Sequence, residues 1–282
     1  KKELSELDKA YAHANTQFQL GNTNAAIDAF EQVIEIDPEH APSHFTLGII
    51  CYQVGNVHLA YEYLNKSLKY GPDNPNALNA FAVMQAALGK QEEAIKSWER
   101  AIEVKENYAD AHSNLANALE KKGEYEEALK HANIAIKSNP DLIDAYVNKG
   151  NAYVGLDRLD DTIEILETAR ALNPNVPSVL TNLGNAYRDK GDLQKAEEIC
   201  RIAVELSPNM PEAHNNLGNA LGDLGEAEEA ANYFRTSTNL RPEYFEAHNN
   251  HAIACIRLLD YEQAQISARY AIAFKPDFAK AH

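Results

Sequence analysis

ADAHSNLANALEKKGEYEEALKHANIAIKSNPDL, residues 109–142, holds the plan of the whole chain. Asp110 opens a helix, and His112, Leu115, Ala116 and Leu119 then recur at three- and four-residue intervals on one of its faces. Gly123 stops it. A second helix begins near Glu124 and carries its apolar stripe on Tyr125, Ala128, Leu129, Ala132, Ala135 and Ile136. Pro140 lacks the N–H that a helix interior needs and turns the chain away. Neither stripe is covered within its own helix, so each must pack against the partner helix and against a further pair.

Those further pairs are supplied by the chain itself at a fixed spacing of 34 residues. Gly48, Ala82, Ala116, Gly150, Gly184, Gly218 and Ala252 fall one period apart, as do Ala26, Ala60, Ala94, Ala128, Ala196, Ala230 and Ala264 once the step over Thr162 is allowed. Pro38, Pro72, Pro140, Pro174, Pro208, Pro242 and Pro276 end the units, with Glu106 in the slot where a proline is missing. A period near 34 means stacked helix hairpins sharing a continuous core. The expected fold is all-α, with repeats 7–40, 41–74, 75–108, 109–142, 143–176, 177–210, 211–244 and 245–278 in one solenoid; 279–282 read as the start of a truncated ninth. Small residues at the eighth and twentieth positions let two backbones approach, because larger side chains would overpack the pair. Phe30, Leu64, Trp98, Leu166 and Phe234 share one bulky slot, which assigns the single tryptophan to the core.

Two repeats depart from the pattern. The fifth has Lys149 at a leucine position, Thr162 for the close-packing alanine, Asp157 for the interhelix glycine and Arg170 in an apolar slot, so it should pack most weakly on its neighbours. The eighth carries His251 at a leucine position and Leu259 at the glycine position. Its second helix lacks a following hairpin, so continuation past His282 and self-association through uncapped ends are both expected.

Bulk composition excludes several functions. A net charge of −16 disfavours nucleic acid, whose phosphates need clustered Lys and Arg, and also anionic lipid surfaces. No stretch is apolar enough for membrane insertion. Cys51, Cys200 and Cys255 fall on packing positions and read as buried thiols rather than a disulfide framework. A cytoplasmic location is expected; the chain starts at Lys1 without methionine, which leaves room for a leader removed by processing. His44, His112, His214, His248 and His282 take the fourth position of their repeats, one per repeat and not converging. His248, His251 and Cys255 form the best local metal constellation, yet all three sit in packing slots, so neither metal nor cofactor is expected. No phosphate loop or nucleophile elbow occurs, and Asp110, Asp144, Glu212 and Glu246 read as acids placed at helix N-termini, so no enzyme activity is expected.

Leu217, Gly218, Leu221, Ala230, Phe234 and Pro242 together resemble the tetratricopeptide repeat family, with Ser237 standing in for a second alanine. The resemblance covers essentially the whole chain. It implies a right-handed superhelix whose first helices line a concave groove, with the second, fifth, sixth, ninth, twelfth and thirteenth positions facing inward. At the sixth position stand Asn114, Asn148, Asn182, Asn216 and Asn250; at the ninth Asn117, Asn151, Asn185 and Asn219; at the fifth Asn215 and Asn249. Asparagine is a mediocre helix former, so its repetition in mid-helix needs a reason. A carboxamide offers an acceptor and two donors and can hold a peptide unit's N–H and C=O together. The other reading is that these residues tie neighbouring first helices to each other. Lys121, Arg188 and Arg257 are the only basic groove residues, which disfavours the carboxylate clamp of co-chaperone repeats. Asn182–Asn185, Asn216–Asn219 and Asn114–Asn117 are similar to the substrate-reading arm of O-linked N-acetylglucosamine transferases, where an asparagine row holds acceptor polypeptide.

In the N-terminal half the same positions hold Tyr11, Phe18, Phe45, Ile49, Tyr52, Val83 and Ala87, an apolar and aromatic lining. That lining is either a second partner site or a surface covered by residues 1–6 or another subunit. The functional expectation is a non-catalytic protein-interaction scaffold that binds an extended polypeptide. The alternative is the recognition arm of a larger enzyme, such as a glycosyltransferase whose catalytic part follows His282.

Overall fold

The structure is a computed structural model that describes residues 5–277. Among the described residues it contains sixteen α-helices and no strand. They fall into two compact units, one ending at Leu142 and the other starting at Ile143. The division lies at the front edge of the fifth repeat, the one with most departures from the pattern. Residues 278–282, and with them the start of the expected ninth repeat, lie outside the described residues, as do residues 1–4 of the segment that is one of the alternative covers for the aromatic lining.

The first unit comprises α1 Glu6–Gln19, α2 Thr23–Ile36, α3 Ala41–Gln53, α4 Val57–Tyr70, α5 Pro75–Ala87, α6 Gln91–Val104, α7 Ala109–Lys121 and α8 Tyr125–Ser138. The second comprises α9 Ile143–Gly155, α10 Leu159–Leu172, α11 Pro177–Lys190, α12 Leu193–Leu206, α13 Pro211–Leu224, α14 Ala227–Leu240, α15 Phe245–Arg257 and α16 Tyr261–Phe274. Odd and even helices pair as hairpins, and within a unit successive first helices also touch, as in α5 with α7, α11 with α13, and α13 with α15.

The local chemistry behind each hairpin is simple. Proline at the first turn starts α5, α11 and α13, where its missing N–H would have no helical partner anyway. The turn between helices needs one residue at positive φ. Glycine supplies it in six hairpins, but Asp157 (φ 57°) and Leu259 (φ 61°) occupy the same left-handed conformation where glycine is missing. The close approach at the eighth position is equally visible: a Cβ on Gly218 would stand 2.7 Å from Cε1 of Phe234.

Departures are compensated locally. Buried Thr162 donates its hydroxyl to the Arg158 carbonyl at 3.1 Å, within its own helix turn. His251 pairs Nδ1 with the Ser267 hydroxyl at 2.8 Å, so a polar residue at a leucine position meets a polar partner. Ser237 uses its hydroxyl too, donating to the Pro211 carbonyl at 2.8 Å. The tryptophan expected in the core is there, with Trp98 4% exposed. All three cysteines are buried and free, and burial pushes the Cys200 thiol up to about 12.

The fourth-position histidines have a specific task. Nε2 of His44, His112, His214 and His248 lies 2.9, 2.9, 2.7 and 2.8 Å from the carbonyl oxygen six residues earlier, on Pro38, Glu106, Pro208 and Pro242. A carbonyl only accepts, so each ring carries its proton on Nε2 and clasps the turn that closes the preceding repeat.

Candidate functional site

The asparagine files meet the physical requirement that a mid-helix carboxamide be satisfied, and they satisfy one another. In the second unit Asn182 Nδ2 on α11 donates to Asn151 Oδ1 on α9 at 3.0 Å. Asn250 Nδ2 on α15 donates to Oδ1 of both Asn219 and Asn215 on α13, each at 3.1 Å. Asn216 donates to the Thr181 carbonyl at 3.4 Å. In the first unit Asn114 donates to Asn79 Oδ1 at 3.0 Å. A sixth-position amide therefore reaches back to the fifth or ninth position of the preceding first helix. This is the tie between neighbours that stands as the second reading of the sequence.

The tie does not exhaust the files. Asn114, Asn117, Asn148, Asn151, Asn182, Asn185, Asn219 and Asn250 are half-buried, with part of each side chain open to solvent. Asn151 and Asn219 accept through Oδ1 from their neighbours, and each amide nitrogen has two hydrogens to donate. Asn215, Asn216 and Asn249 differ, being 5%, 8% and 5% exposed. These three were expected to face a ligand; the structure instead seats them in the wall. Asn215 and Asn216 bond to the adjacent first helix.

Both arginines of the expected site are also ties. Arg188 lies 3.2 Å from Asp189 and 3.6 Å from Asp223 of α13. Arg257 Nη1 donates to the Gly222 carbonyl of α13. The sequence reading missed Asn79, Thr181 and Asp223 as partners. Asn79 and Thr181 hold the same fifth position as Asn215, and that shared register was the available signal.

The aromatic lining of the first unit folds onto its own core. Tyr11 meets Phe30 edge-on at 6.1 Å and His40 at 4.7 Å, and Phe18 meets Phe30 at 6.5 Å. Phe45 and Val83 pack against the cluster of Cys51, Ala60, Leu64 and Met84. Ile49 is half-buried, and Tyr52 at 44% exposure is the open ring of the set. These residues rest on the core on one side, yet Tyr11, Phe18, Phe45 and Ile49 are half-buried and Tyr52 is exposed, so the lining keeps apolar surface towards solvent.

His248, His251 and Cys255 do not converge on one point: His248 clasps Pro242, while His251 bonds Ser267 and lies 3.7 Å from Cys255 Sγ. Among the described residues no group of three His, Cys, Asp or Glu side chains is arranged to hold a metal ion. No helix among them is long and apolar enough to cross a membrane.

Tetratricopeptide repeat models match the chain over residues 17–84, 109–142, 143–176, 175–243 and 215–277, and a TPR repeat model matches 84–123. The chain belongs to the tetratricopeptide repeat family. Among solved structures, the APC/C hetero-tetramer Cut9–Hcn1 aligns over 97% of this chain with a TM-score of 0.76 at 19% identity. The TPR chain spans only 54% of the length of that match. A thermophilic TPR protein of Thermus thermophilus, TTC0263, aligns over 65% of this chain and 100% of its own, with a TM-score of 0.58 at 22% identity. YrrB, described as a TPR protein with an unusual peptide-binding site, aligns over 66% of this chain and 96% of its own, with a TM-score of 0.50 at 26% identity. No curated protein matches the sequence.

Proposed function

We propose that this TPR chain is a non-catalytic protein-interaction scaffold whose second unit holds an extended segment of a partner polypeptide along its asparagine files. The observation that carries this is the pairing of half-exposed carboxamides, Asn182 with Asn151 and Asn250 with Asn219. Each pair is held in place before a ligand arrives, so little side-chain entropy is lost on binding. The donors that remain point the reading towards main-chain carbonyls, which every peptide carries, rather than towards a particular side chain. Each such bond contributes about 0.5–1.5 kcal/mol net, so several acting together give useful affinity with low sequence selectivity. The peptide-binding site named for YrrB, a relative of similar fold, supports the same use of this architecture.

The test removes the ninth-position amides, including the acceptors Asn151 and Asn219, and keeps the buried Asn215 and Asn216 with their bonds to the adjacent first helices. Peptides would be selected against the native chain from a random display library, then titrated against a variant carrying Asn151→Ala, Asn185→Ala and Asn219→Ala. Binding should weaken at least tenfold. Unchanged affinity with an intact fold by circular dichroism would show that the files serve only to join helices.

A further inference from the structure

The repeats provide an internal control for one arginine. In the sixth repeat Arg201, on α12, is met from three directions: Glu197 Oε1 at 2.8 Å, Glu229 Oε1 of α14 at 2.9 Å and the Tyr233 hydroxyl at 3.4 Å. These contacts hold its guanidinium well above the ordinary arginine range, the Glu197 bond foremost. One period later the same position is Arg235, on α14. Every residue that should meet it has changed: Glu197 becomes Ala231, Glu229 becomes Gln263 and Tyr233 becomes Ser267.

The consequence is a gap. Where α12 and α14 are bridged by an ion pair, α14 and α16 bound a cavity of about 650 Å³ lined by Arg235, Gln263, Ser267 and, further along, Tyr270 and Phe274. Among the described residues Arg235 has no carboxylate within ion-pair distance; its guanidinium donates to Asn232 Oδ1 at 2.7 Å, on its own helix. One side of the cavity is aromatic, with His248, Tyr270 and Phe274 stacked 5.2–6.5 Å apart. Glu228 and Asp260 also line it. Asp260 is engaged in capping α16, accepting from the Gln263 amide at 3.1 Å. Glu228 stands seven residues, about 10 Å of helix rise, from Arg235.

We infer that this cavity is a second binding site, on the second-helix side of the molecule, for a carboxylate side chain of a partner polypeptide, with an adjoining apolar residue seated against Tyr270 and Phe274. The template for the ligand is the chain's own Arg201, around which Glu197 of the sixth repeat and Glu229 of the seventh occupy the equivalent space. An arginine fork is suited to a carboxylate by its parallel N–H donors. A net charge of −16 repels such a ligand at long range, so recognition here is by contact and should survive moderate salt, which screens the repulsion. The site is separate from the asparagine files, and its success or failure leaves the reading of those files untouched.

The probe is a fluorescein-labelled heptapeptide with two central glutamates followed by a phenylalanine, read by fluorescence polarisation at about 0.15 M salt. Its control carries glutamines in place of the glutamates. The native chain should bind the probe saturably and at least tenfold more tightly than the control. Arg235→Gln should remove that preference. The double variant Ala231→Glu with Gln263→Glu rebuilds the two carboxylates that surround Arg201; it should fill the site from within, abolish probe binding and raise the melting temperature. Equal binding of probe and control, binding unaffected by Arg235→Gln, or a double variant that binds as the native chain does would each overturn the inference.

Discussion

Although Asn114 and Asn79 carry the asparagine tie into its later hairpins, the first unit opens with inner positions used unlike those of the second. In the first, Tyr11, Phe18 and Phe45 turn aromatic surface onto the core, and the gain comes from burial. In the second, Asn182, Asn216 and Asn250 at the sixth position reach across to the preceding first helix, and the gain comes from hydrogen bonds. Tyr11, Phe18 and Phe45 remain half-buried, so what they still offer a partner is apolar surface without directional bonds. A carboxamide ladder, by contrast, is a joint between helices that still presents polar groups outward.

The largest effect that separates the two should come from Phe18→Ala. Removing a ring that packs edge-on against Phe30 should destabilise the first unit by about 2–3 kcal/mol, somewhat below the cost of truncating a fully buried phenylalanine. Hydrogen exchange should show faster opening in α1–α4 with the second unit unaffected. Exchange that rises equally in both units would break the comparison.

Asn250→Ala should act in the other unit and more weakly. It removes the donor to Asn215 and Asn219 and leaves the buried Asn215 acceptor without that bond, a loss of about 1–2 kcal/mol. Urea unfolding followed by exchange in α13 and α15 measures it. A change below a few tenths would mean that the ladder contributes alignment and no stability.

Leu259→Gly should be stabilising by about 1 kcal/mol, because a leucine is held at positive φ while its side chain is largely in solvent. Asp157→Gly should gain less, since aspartate tolerates the left-handed region better than leucine. Thermal melts of the single variants decide the order.

Acid should not discriminate between the units. Burial lowers His40 and His131 in the first, and His248 and His251 in the second, below their ordinary 6.5. Below about pH 6.5 the unfolded chain binds protons that the folded one refuses, so this stability is complete above that pH and drains away as pH falls towards the folded values. Urea midpoints of both units should decline together between about pH 7.5 and 5.5, and His131→Gln should flatten the decline in the first alone.

The hairpins were legible in the sequence because small residues, bulky residues and turn glycines each repeat in register and each answers one steric need. Even the exceptions could be read: Asp157 and Leu259 stand where glycine was missing, and both adopt the strained φ. The site was less legible. Periodicity places Asn182 and Asn151 on inner positions, but whether a carboxamide turns to a ligand or to its neighbour depends on helix separation, which spacing alone does not set. Asn215 and Asn249 were misplaced for a related reason, since the fifth position lies close enough to the packing face to be buried. The cavity beside Arg235 was missed because it arises from three substitutions in two helices, invisible until repeats are compared in space.

The histidine clasps give the molecule something its apolar contacts do not: local sensors. Each of His44, His112, His214 and His248 is locked in one tautomer only while its ring touches the turn before it. Once that turn frays, the proton can move between the two ring nitrogens and the nitrogen resonances average. Four natural labels, spread over four repeats, therefore let nuclear magnetic resonance follow where along the chain unravelling begins, with no probe added.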